Sequence, residues 1–157
     1  SLCDSALWHL RSKHWESARQ DADDAINIDP INVNAHYCAA LSLFQDGAVP
    51  DQDAVAKGAK HACIAVGLAR KQLGAESSVL KDSAEVLKSF AKLSADSLPT
   101  AEDIFTVNSV AELQCSIERQ HVKYIVACPG EYKWSGWDSI RSHHDFTLQA
   151  VGSVTFR

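Results

Sequence analysis

Apolar residues recur every three or four positions through the first hundred residues of the chain. Leu2, Ala6, Leu7 and Leu10 form one such series, and Ala18, Ala22, Ala25 and Ile26 a second. That spacing places each set on one face of a helix, so two amphipathic helices are expected, with a turn at residues 13–15 between them. Asp29-Pro30 should end the second helix, because proline lacks an N–H and disfavours helical geometry in the residue before it. Asn32 or Asn34 can cap the next helix, an apolar stretch over residues 34–47 that closes on Gly47. Val79, Leu80, Ala84, Leu87, Phe90, Ala91 and Leu93 continue the helical spacing. A break is expected at Gly74, leaving residues 75–93 as a capping helix.

Beyond Leu98-Pro99-Thr100 the pattern changes. Residues 105–107 look extended, 109–119 helical, and residues 124–128, 146–151 and 154–156 are β-rich runs separated by turns. The pattern therefore divides the chain into a helical domain over residues 1–97, a linker at 98–103, and a β-rich segment with a short capping helix at 104–157. The expected fold class is mainly α.

Trp15, Ala18, Ala25 and Pro30 stand where the tetratricopeptide repeat carries its aromatic, its two alanines and its terminal proline. This part of the chain resembles that family. Ala40, Leu43, Gly47, Val55 and Ala62 match a second unit, with about three extra residues in the loop at 48–53 and Gly67 at the place of the proline. Small residues are needed there because two helices approach to about 8–10 Å only if no large side chain intrudes. The resemblance implies stacked helical hairpins whose inner helices line a groove for a peptide or a partner helix. On the second unit the groove positions fall on Asn34, Tyr37, Leu41, Phe44 and Gln45, and on the incomplete first unit on Leu7, Leu10 and Arg11. Members of the family that clamp a terminal carboxylate show asparagine where this chain has Leu7 and Cys38, and only Arg11 and Lys71 offer positive charge nearby. An apolar peptide or a helix suits the groove better.

The order of a helix, the strand at 124–128, a Pro129-Gly130-Glu131-Tyr132 turn and a further strand with Leu148 and Gly152 resembles the opening of right-handed parallel β-helix domains. Such domains occur in F-box and Shc-binding proteins and in polysaccharide lyases. Only the first one or two coils would be present, with further coils expected downstream of Arg157. The chain, which begins at Ser1 and holds no Met, reads as a piece of something longer.

Composition narrows the function classes. Fifteen Lys and Arg against twenty Asp and Glu give a net charge of −5, which disfavours nucleic acid and anionic lipid as partners. No apolar run of about 18 residues suggests a membrane span. Cys3, Cys38, Cys63, Cys115 and Cys128 form an odd set without a CxxC pair, which fits a reducing, cytoplasmic setting. The seven histidines stand in no ligand array, no phosphate loop or GxSxG occurs, and neither metal nor cofactor is expected. Tyr132, Trp134 and Trp137 could stack on a sugar ring or cover the edge of the first coil. The expected function is a non-catalytic scaffold or adaptor that binds protein through the groove. The alternative is a fragment of a β-helix carbohydrate-binding or carbohydrate-active protein.

Overall fold

The computed structural model describes residues 14–44, 51–119, 121–133 and 145–157. The described residues are mainly helical, with five α-helices and a few short strands among them. Helix α1 spans Trp15–Ile28, α2 Val33–Phe44, α3 Gln52–Leu73 and α4 Ser78–Leu93. A 3-10 turn at Ala101–Asp103 leads into strand β1, Ile104–Val107, and helix α5 follows at Val110–Glu118. Four strands complete the chain: β2 Tyr124–Ala127, β3 Gly130–Tyr132, β4 Thr147–Ala150 and β5 Val154–Phe156.

Side chains near the ends explain where the helices begin and stop. Of the two asparagines, Asn32 faces the start of α2, its Oδ1 accepting from the Ala35 N–H at 3.2 Å. Asp51 does the same for α3, accepting from the Ala54 N–H at 2.8 Å, and Ser109 for α5, accepting from the Glu112 N–H at 3.2 Å. Gly74, at φ +89°, ends α3 where a break was expected. Gly67 terminates nothing: α3 continues through it for another turn and a half to Leu73.

Consecutive helices pack side by side, α1 on α2, α2 on α3 and α3 on α4. The alanines of the repeat-like pattern lie inside, with Ala18, Ala25, Ala40 and Ala62 all buried. In α3 every residue from Ala62 to Ala69 is buried. A helix apolar on all sides needs partners on all sides. It finds α2 and α4 on the helical flank and β1 and β2 on the other.

Strands β1, β2 and β4 form one parallel sheet in that order, and β3 and β5 form a second parallel pair. Tyr124 stands opposite Thr147, and Gly130 opposite Val154, so two successive strand-turn-strand units lie one on the other in register. Gly130–Tyr132, expected as a turn, is itself a strand paired with β5.

Strand β2 is buried along its whole length, and alternate residues serve different cores. Tyr124 and Val126 join the large cluster built around α3, while Ile125 and Ala127 join a smaller one with Val107, Leu113, Ile117 and Tyr132. The large cluster also takes in Ile104 and Val151, with Leu98 and Ala101 packed against it. One apolar core thus runs from the helices across residues 98–103 into the strands. Arg70 fastens the crossing by donating to the carbonyl oxygens of Ile104 at 2.6 Å and Ala101 at 2.7 Å.

Candidate functional site

Helix α2 is buried on most of its circumference. Val33, Ala35, His36, Cys38, Ala39, Ala40, Ser42 and Leu43 are all buried, which leaves Asn34 exposed and Tyr37 and Leu41 half-buried on one strip. Tyr37 packs against the large cluster, and Leu41 touches both that cluster and the Ala18, Ala22, Cys38 and Ala39 group. Burial, with the Asp82 carboxylate adding, raises the Tyr37 hydroxyl above its ordinary pKa. Of the other expected groove residues, Arg11 and Gln45 lie outside the described residues. So does the side chain of Phe44, the last residue of α2.

Two histidines that share no sequence motif meet between α2 and α3. His36 Nδ1 lies 3.0 Å from His61 Nδ1, and His36 Nε2 lies 2.8 Å from the Pro30 carbonyl oxygen. A carbonyl only accepts, so His36 carries its proton on Nε2, and its bare Nδ1 accepts from the Nδ1–H of His61. Burial lowers both pKa values, with His61 falling to about 4. The pair holds the Asp29-Pro30 turn to α3, helped by Gln72, which donates to the Ile31 carbonyl at 2.9 Å. That turn meets the strands: a Cβ placed on Gly152, at φ +69°, would lie 2.9 Å from the Pro129 ring and 3.0 Å from the Pro30 ring.

Tyr132 does not stand where a sugar could stack on it. It is 1% exposed, its ring centroid lies 5.3 Å from that of Phe156, and its hydroxyl proton is shared between the Val107 and Cys128 carbonyls, each at 2.9 Å. The ring closes the smaller core, and burial pushes its pKa up to about 12. Trp134 and Trp137 lie outside the described residues.

A cleft of about 420 Å³ opens where α3, β1 and α5 converge, formed by residues the sequence pattern did not single out together. Its aromatic wall is Phe105 on β1, and Thr106, Ser116 and Cys115 line it alongside. Lys71 from the end of α3 bridges to Glu112 on α5 at 2.9 Å. That hydrogen bond, followed by one from the Asn108 N–H, holds the Glu112 carboxyl below its usual pKa. The Arg119 guanidinium carbon lies 5.6 Å from the Phe105 ring centroid, and that of Arg70 lies 5.2 Å away. Phe105 and Arg119 are far apart in sequence, and no spacing rule links them. Lys71, noted only as a nearby charge, proves to be half of an ion pair.

Among the described residues, no group of three or more His, Cys, Asp or Glu side chains could hold a metal ion, and no helix is long and apolar enough to cross a membrane. Comparison with protein-family models, with curated proteins and with solved structures gave no match to this chain.

Proposed function

We propose that the chain is a non-catalytic scaffold: a tetratricopeptide-like stack of hairpins, followed by the opening coils of a right-handed β-helix, that recruits a partner protein in an intracellular setting. The observation that carries this reading is the strip on α2. Asn34, Tyr37 and Leu41 stand one turn apart on a helix whose other described side chains are buried, so an amide, a phenol and an isobutyl group are presented at fixed spacing. A rigid apolar stripe of this kind suits a peptide or helix that offers its own apolar residues at matching intervals. The side-by-side order of α1 to α4, with alanines at the crossings, supports the stack. The parallel, in-register pairing of β2 with β4 and of β3 with β5 supports the coils.

The test is selection of binders from a displayed peptide library, followed by mapping of the bound peptide by amide chemical shifts. Peptides rich in apolar residues, perturbing residues 34–41 and weakened about tenfold or more by Tyr37→Ser with Leu41→Ser, are expected, since a central aromatic anchor commonly contributes 2 kcal/mol or more. Selected peptides that bind the double variant equally well would remove the strip from this role.

A further inference from the structure

We infer that the cleft between α3, β1 and α5 is a carboxylate-binding site, suited to an acidic side chain on a peptide. The cleft carries more positive than negative charge. Arg119 and Lys71 bring two positive charges against the single carboxylate of Glu112, on a chain whose net charge is −5. A net positive charge gathered in a concavity of an acidic molecule favours an anion there.

Arg119 is exposed, and its guanidinium carbon lies 5.6 Å from the Phe105 ring centroid. A guanidinium held near a ring face can still offer its N–H groups to a carboxylate through two parallel hydrogen bonds. Ser116 and Thr106 line the same cleft, although the Thr106 hydroxyl oxygen itself is buried against Gly67 of α3, where a Cβ would lie 2.7 Å from it. Glu112 shows how a carboxylate is held at this rim. It accepts from Lys71 at 2.9 Å and from the Asn108 N–H at 3.2 Å, and so occupies the lysine while leaving the arginine open. The methyl of Ala111 and the Phe105 face supply an apolar flank, which fits an acidic residue beside an aliphatic one.

The site lies apart from the α2 strip and stands independently of the function proposed for it. The experiment is an amide chemical-shift titration of the whole chain with a capped peptide carrying one glutamate between two leucines. One control replaces that glutamate by glutamine. A second keeps the glutamine but leaves the C-terminal carboxylate free, which separates a side-chain carboxylate from a terminal one. Saturable shifts at Thr106, Glu112, Ser116 and Arg119 are expected with a carboxylate peptide and not with the fully neutral one.

Arg119→Gln should weaken binding about tenfold or more, the equivalent of one charge-assisted hydrogen-bonded contact. Lys71→Gln should weaken it less. Glu112→Gln should tighten it by about threefold, because the competing carboxylate is gone and the lysine is released. Tyr37→Ser should leave the titration unchanged, which keeps this site distinct from the strip. Equal binding of the neutral peptide, shifts that do not saturate or that fall elsewhere, or undiminished affinity in an Arg119→Gln variant with wild-type circular dichroism would each overturn the inference.

Discussion

Where helices α3 and α4 cross, a Cβ added to Gly58 would lie 2.2 Å from the tip of the fully buried Phe90 ring. Gly58→Ala should gain about 1 kcal/mol of helix propensity and lose more to overpacking, for a net destabilisation of roughly 1–2 kcal/mol in urea denaturation. In a Phe90→Leu background the same substitution should cost less, because the ring that obstructs it is absent; equal costs in both backgrounds would break the link between the two residues. His36 and His61 make a second prediction at this scale. Both are harder to protonate folded than unfolded, so the unfolded chain binds more protons once the pH drops below about 6.5. Stability attributable to the pair is therefore fully present above that pH and declines as the pH falls toward about 4, where His61 titrates in the folded state. Urea midpoints measured from pH 7.5 to 4.5 should show this slope, and His61→Leu should flatten it. An unchanged slope in the variant would assign the acid sensitivity to carboxylates.

At the scale of elements, the two faces of a strand and the two sides of a helix explain most of the arrangement. Strand β2 is bonded on both edges, to β1 and to β4, while β4 is bonded on one edge among the described residues. Hydrogen exchange should accordingly be slowest at Ile125 and Val126 and distinctly faster in β4, where burial is also lower. Comparable protection in the two strands would mean that something covers the outer edge of β4. Helix α5 is short and depends on its cap. Ser109→Ala should cost about 1 kcal/mol by removing the oxygen that accepts from the Glu112 N–H. It should also loosen the Lys71–Glu112 bridge, which a double-mutant cycle with Lys71→Gln would register as coupling.

For the whole molecule, the decisive feature is a core shared by helices and strands. Gly67 has no side chain, and a Cβ there would lie 2.7 Å from the Thr106 hydroxyl oxygen and 3.0 Å from a Val126 methyl. The sheet rests on α3 because that position is bare. Val126→Ala on the strand side should therefore lower the helical melting transition followed at 222 nm, by an amount matching roughly 1–3 kcal/mol of lost packing, together with the exchange protection of β2. A helical transition that stays put while β2 loosens would mean that the two parts unfold separately.

The helices were legible because period and punctuation are local. Ala18, Ala22 and Ala25 mark a buried face, Asp29-Pro30 stops α1, Asn32 starts α2 and Gly74 stops α3. The strand at Val154–Phe156 was read to the residue, and helix α5 to within one residue at each end. Residues brought together from distant positions were not legible. His36 with His61, Pro30 against Gly152, Tyr132 under Val107, and Arg119 over Phe105 all join separate elements. Gly67 shows the difference most plainly: as a letter it suggested the end of a repeat, whereas in the fold it is the bare patch on which a sheet lies. Hydrophobic spacing determined which segments became helices and which of their faces turned inward, since each turn feels only residues three or four positions away. Which buried face met which, and which polar groups were left to line a cleft, was decided by tertiary packing, because those contacts depend on close approach between segments that the chain does not place side by side.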